Sequence, residues 1–152
     1  MTAAGTVIPG SAWPRPPGGW PLAIGTVPYQ LSATPGANRP PSWLDGSNCQ
    51  RFAYGALSLF GARCPPMRSS ELWDDRQWTF PADVPRPLDL VLFNRDNTPY
   101  GAHIGLWMAP TEVLHLCRQV GRPVAWSLAE FLVHPRYRTL IGFKRPRALL
   151  PG

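Results

Sequence analysis

The stretch DGSNCQRFAYGALSLFG, residues 45–61, turns from a polar loop into an apolar helix at a cysteine. Phe52, Ala53, Ala56, Leu57 and Phe60 recur at three- and four-residue steps, the period of one buried helix face, and Gly61 stands just past the end, where a helix favours glycine. Cys49 shares that face and lies in the first turn. Ser47 or Asn48 can cap the helix, and the unpaired amides and positive dipole end there favour a thiolate over a thiol. A free cysteine otherwise packs as a small hydrophobe, so this stretch alone leaves Cys49 as either core or nucleophile.

Outward from the helix, Pro65 and Pro66 enforce a break, and RSSELWDD at 68–75 predicts a short second helix capped by Ser69 or Ser70. Residues 76–87 read as a loop. The period then changes. LDLVLFN at 88–94 is nearly continuous and β-prone, as a central strand is, and HIGLWMA at 103–109 and EVLHLC at 112–117 form two more strands with a tight connection. WSLAEFL at 126–132 is a helical or irregular piece before a last strand, TLIGFKR at 139–145. Helices first and strands after predict an α+β fold with N-terminal helices packed on an antiparallel sheet.

A chain of 152 residues with 20 prolines and 14 glycines fits one domain with much loop. Nine of the prolines precede residue 48. We divide the chain into an irregular Pro/Gly-rich arm over 1–25, ordered in part by tryptophans, a domain over 26–147, and a tail over 148–152. The net charge of +6 is carried almost wholly by arginine, since Lys144 is the sole lysine. Arginine suits carboxylates and phosphates. No stacking aromatics or recognition motif accompany the basic stretch between Arg118 and Arg147, so it reads as a solvated face and not as a nucleic-acid site. Three cysteines leave an odd thiol under any pairing and show no CxxC spacing, which fits a reducing compartment. The N-terminal stretch lacks the pattern of a secretory signal and no apolar run has the length of a membrane span, so the expectation is a cytoplasmic chain or one exported by a specialised route. The oligomeric state is not legible.

A cysteine nucleophile needs a base, and the base needs a group that fixes its orientation. If Ala109-Pro110-Thr111 forms the connection between the two middle strands, Met108 faces Glu112, Gly105 faces His115 and His103 faces Cys117. Both imidazoles then share one face as diagonal neighbours, with room left by Gly105. A two-residue turn would put them on opposite faces. His134, in HPRYR, reads as a surface residue, Cys117 as core, and Cys64 as a loop cysteine without a helix-start setting.

This order of parts resembles the NlpC family of cell-wall peptidases, small papain-like cysteine hydrolases that cut bacterial peptidoglycan stem peptides. The resemblance runs over about residues 26–145. NCQRFAYGAL stands where the family has its nucleophile and helix, MRSSELW resembles its Arg-Thr/Ser-Ser segment, PLDLVLFN its Pro-Gly-Asp-Leu-Val strand, and AHIGLWMAPTEVLHL its base strand with a twelve-residue step to the third polar residue. By carry-over, Cys49 is the nucleophile, His103 the base and His115 the residue orienting it, with the Cys49 amide in the oxyanion hole. Substrate contacts fall to Tyr29 in TVPYQ and to Asn48, Gln50 and Arg68. The chain departs from the family at Asn48, where Asp-Cys-Ser-Gly is usual, and at Leu88, where glycine is usual; Asp89 is kept and serves a turn. The expectation is amide hydrolysis through a thioester, on a peptide or peptidoglycan-fragment substrate, with no metal or cofactor. An acyltransferase, a non-catalytic module on the same fold, and a zinc site built from Cys49, His103, His115 and Cys117 stand as alternatives.

Overall fold

The computed structural model describes residues 8–30 and 42–147. Its centre is a sheet of six antiparallel strands: β1 (Thr79–Ala82), β2 (Leu90–Asn94), β3 (His103–Trp107), β4 (Glu112–Leu116), β5 (Pro123–Ser127) and β6 (Thr139–Pro146), in the order β1-β6-β2-β3-β4-β5. β2 lies between β6 and β3 and is buried on both faces, which is why its sequence is continuously apolar instead of alternating. Leu90 and Leu92 point into one core, Val91 and Phe93 into the other.

Helix α1 (Cys49–Ser58) covers the first face, placing Phe52, Ala53, Ala56 and Leu57 against Leu90, Leu92, Ile104, Leu106 and Leu114. Gly61 follows it with φ +82°. The second face is covered from the other end of the chain, by α3 (Leu128–Leu132) and a 3-10 turn over Pro135–Tyr137, whose Phe131 and Tyr137 join Val91, Phe93, Trp107 and Trp126. Among the described residues no helix is long and apolar enough to cross a membrane.

Three local expectations are corrected. Residues 76–87 are not all loop, because Thr79–Ala82 pair with the end of β6; Pro81 masks the strand and is tolerated because β1 is an edge. Trp126 and Ser127 belong to β5, paired along its length to β4, and the helix begins only at Leu128, with the Ser127 hydroxyl accepting from Glu130 N (3.2 Å) and the Glu130 carboxylate from Ser127 N (2.8 Å). Helix α2 (Ser69–Asp74) is capped at Arg68, whose N–H donates to the Glu71 carboxylate at 2.8 Å. The Ser69 hydroxyl instead accepts from Ala102 N at 3.1 Å, tying α2 to the residue before His103.

Residues 1–7 of the arm and the whole 148–152 tail lie outside the described residues. The described arm is built into the core: Trp13 is buried and donates to the Glu112 carboxylate (2.9 Å), Trp20 meets Phe60 edge-on, and a Cβ on Gly55 would fall 2.2 Å from the Trp43 ring. Asp89 is fully buried in the turn before β2, accepting from Arg86 N at 2.8 Å and holding Arg145 with two hydrogen bonds of 2.8 and 2.9 Å. Beside it Leu88 adopts φ +77° with its side chain in the core.

Candidate active site

Asn48 starts α1 by accepting from Arg51 N at 2.9 Å, while its amide donates to the Gln50 side chain at 3.1 Å. Both are buried. Ser47, one residue earlier, bridges to Tyr29: Gln30 N donates to Ser47 O (2.8 Å) and Ser47 N to Pro28 O (3.1 Å). The loop entering the helix is therefore fixed by main-chain bonds, and Cys49 emerges half-buried as the first helical residue.

On the sheet, the three-residue connection holds. Leu106 faces Leu114, Trp107 faces Val113, and Met108 N donates to Glu112 O at 2.8 Å. This register puts both imidazoles on one face, where His103 Nε2 and His115 Nδ1 share a hydrogen bond of 2.9 Å. A Cβ on Gly105 would lie 2.5 Å from Val113 Cγ1, so glycine is what lets β3 and β4 pack this closely beside the pair. His103 stacks on Tyr137 at 4.6 Å, and His115 packs against Trp126 (4.4 Å) and Phe131 (4.5 Å). His103 Nδ1 makes no hydrogen bond to a described residue.

The front and back halves of the chain meet at β3. Helix α1 packs on β3, and the backbone N–H groups of Ile104, the residue after His103, of Gln50 and of Cys49 itself favour the ionised sulfur. Among the described residues no hydrogen bond joins the Cys49 sulfur to an imidazole. Burial pushes the Cys49 thiol up to about 11, more than those three N–H groups pull it down. The helix-start expectation of a favoured thiolate is thus corrected: loss of water outweighs the amides. Burial, with His134 nearby, holds His103 down at about 3, and burial with the charges of His103 and His134 keeps His115 well below its ordinary range. At neutral pH the site holds a thiol and neutral imidazoles, suited to moving a proton as a bond forms.

Tyr29 is half-buried, its backbone N–H on Gly121 O at 3.1 Å. Burial raises its phenol, the Cys49 charge adds to this, and Arg118 and Arg136 oppose it. Gln50 and Arg68 line one cleft of about 350 Å³ with Ser69, Ser70, Tyr100 and Gly101. Asn48 does not reach it, because both ends of its amide are used in capping. Arg118, Arg136 and Tyr137 escaped the sequence reading: the arginines were hidden in a uniformly basic stretch, and no period marks Tyr137. The surface reading of His134 holds in part: the residue is half-buried, with its ring beside Trp126 (5.6 Å) and Tyr137 (5.0 Å) and its Nδ1 buried. Among the described residues no three His, Cys, Asp or Glu side chains converge to hold a metal ion, so the four-ligand zinc alternative is not assembled.

No family model matches the chain, and no curated protein matches it in sequence. Solved structures do match in fold. The peptidoglycan hydrolase RipB of Mycobacterium tuberculosis superposes with a TM-score of 0.56 at 16% identity, covering 85% of this chain and 61% of that one. NlpC1 of Trichomonas vaginalis gives 0.55 at 16% over 81% of this chain and 40% of that one. The P60 domain of an antigen from M. avium subspecies paratuberculosis gives 0.55 at 14% over 84% and 89%. The chain thus spans about two fifths of the Trichomonas protein and most of the isolated P60 domain. It has the α+β, papain-like NlpC/P60 fold.

Proposed function

We propose that this protein is a cysteine hydrolase that cleaves an amide bond in peptidoglycan stem peptides through a thioester at Cys49. The observation that carries the reading is the 2.9 Å bond between His103 and His115, with His103 on β3, the strand against which α1, beginning at Cys49, packs. The substrate class rests on the fold neighbours described as peptidoglycan hydrolases, RipB and SagA.

In the first step Cys49 Sγ attacks the carbonyl carbon while its proton passes to His103 Nδ1, so no free thiolate need accumulate at neutral pH. The oxyanion is met by the Cys49 N–H in the unpaired first turn of α1, where a donor can lower the barrier by about 3 kcal/mol. Collapse breaks the C–N bond, and the leaving amine takes the proton from His103. Water then attacks the thioester, giving its proton to His103 and releasing the carboxylate product and the thiol. His115 acts through His103 by holding its orientation. Tyr29, whose phenol feels the Cys49 charge, would contact the acyl group, and Arg118 and Arg136 would offer positive charge to stem-peptide carboxylates. Gln50 and Arg68 would hold a neighbouring part of the peptide in their cleft.

The test is incubation with digested peptidoglycan and a panel of γ-glutamyl peptides, read by mass. Wild type is expected to release fragments gaining one water per bond cut, and Cys49→Ala to lose the activity while keeping the fold. Activity persisting in Cys49→Ala would refute the reading.

A further inference from the structure

Behind the histidine pair, three buried nitrogens have no hydrogen-bond partner: His115 Nε2, Trp126 Nε1 and His134 Nδ1. They are the only such side-chain nitrogens or oxygens among the described residues, and all three rings belong to one cluster. Trp126 touches both His115, at 4.4 Å, and His134, at 5.6 Å. His115 is fully buried and Trp126 nearly so. Orphaned polar atoms are rare in folded proteins, and three around one ring call for a common explanation.

Proton bookkeeping supplies it. For His103 Nδ1 to accept the thiol proton, the hydrogen on His103 must sit on Nε2 and point to His115 Nδ1 across the 2.9 Å bond. His115 must then carry its own hydrogen on Nε2, which makes that orphan a donor. Trp126 Nε1 is a donor in every state, so these two cannot satisfy one another. His134 Nδ1, with its hydrogen on the other nitrogen, is an acceptor. Two donors and one acceptor match one water that accepts two hydrogen bonds and gives one, the usual count for a buried water.

We propose that His115, Trp126 and His134 bind one structural water that fixes the tautomer of His115 and, through it, leaves His103 Nδ1 bare. Trp126 and His134 are then positioning residues, acting on the imidazole without touching the substrate. The orphaned nitrogens and ring contacts stand by themselves; the assignment of donors and acceptor, and the kinetic consequence, rest on the hydrolase reading above.

The test has one arm that needs no substrate. Long-range nitrogen–proton NMR of the full chain is expected to show His115 protonated on Nε2 and His103 bare at Nδ1, and a crystal structure a solvent peak within hydrogen-bonding distance of all three nitrogens. His115 protonated on Nδ1, or no such peak, overturns the proposal. In the kinetic arm, His134→Leu and Trp126→Phe are expected to lower kcat about tenfold or more with KM little changed, an effect of the size seen when orienting partners are lost. His134→Asn, whose amide oxygen can take the Nδ1 place, should recover most of it. Folded His134→Leu protein with wild-type kcat and tautomers also overturns the proposal. A wild type that shows the water and tautomers but no hydrolysis refutes the hydrolase reading alone.

Discussion

The two faces of the sheet solve different problems. On the α1 side the sheet itself presents aliphatic residues, Leu90, Leu92, Ile104 and Leu106, shut away from solvent with Leu57 of the helix, and among the described residues no buried side-chain nitrogen or oxygen there lacks a partner. The α3 face is aromatic and carries His103, His115, Trp126, His134 and Tyr137 in mutual contact, with three nitrogens unpaired. The first face holds the helix that presents the sulfur; the second gives up some stability to keep two imidazoles neutral and aligned.

That contrast can be broken by substitution. The largest effect expected is on turnover: His103→Ala should reduce hydrolysis by about a thousandfold or more, within the range for a general base, while the melting temperature changes little. Next, Leu57→Ala on the aliphatic face should destabilise the chain by about 2 to 5 kcal/mol in denaturant titration, because nothing nearby can fill the void. His115→Phe on the aromatic face should do the opposite pairing of effects: kcat down about a hundredfold, with a stability loss of about 1 to 2 kcal/mol, below that of Leu57→Ala, because the ring volume is kept and the cost is the His103 nitrogen left without its partner. Equal stability losses for Leu57→Ala and His115→Phe would erase the distinction between the faces.

Acid sharpens the same point. His103 titrates at about 3 in the folded chain against 6.5 ordinarily, and His115 is also lowered. Between those pH values the unfolded chain binds more protons than the folded one, so stability should fall continuously as pH drops from 6.5 towards 3. Urea midpoints across that range measure it, and the slope should be shallower in His115→Phe. A flat profile would contradict the neutral pair. The smallest effect is at Leu88. Glycine there relieves about 1 kcal/mol of positive-φ strain but forfeits a buried side chain worth about 2 kcal/mol, so Leu88→Gly should lose about 1 kcal/mol in the same titration.

How much of this was legible in the sequence follows the range of the forces. The α1 helix, β2 and the β3–β4 register were readable because each depends on neighbours in the chain: a 3.6-residue stripe, a continuous apolar run, and the Ala109-Pro110-Thr111 connection that puts His103 and His115 on one face. β1 was hidden by Pro81, and β5 by its run into the α3 cap. The protonation of Cys49 was misjudged because helix-start amides are local and visible in the sequence, whereas the burial that overrides them depends on the folded chain. The contacts of His134 were out of sight for a similar reason: its ring meets Trp126 and Tyr137 only once the second face has folded.

The most direct measurement is an acid-quenched single turnover, with the protein mapped by tandem mass spectrometry. An acyl group should be found on Cys49, absent from Cys64 and Cys117, and should fail to form in His103→Ala. Hydrolysis proceeding with the acyl group on another residue, or with none formed while product accumulates, would contradict thiol catalysis at this site.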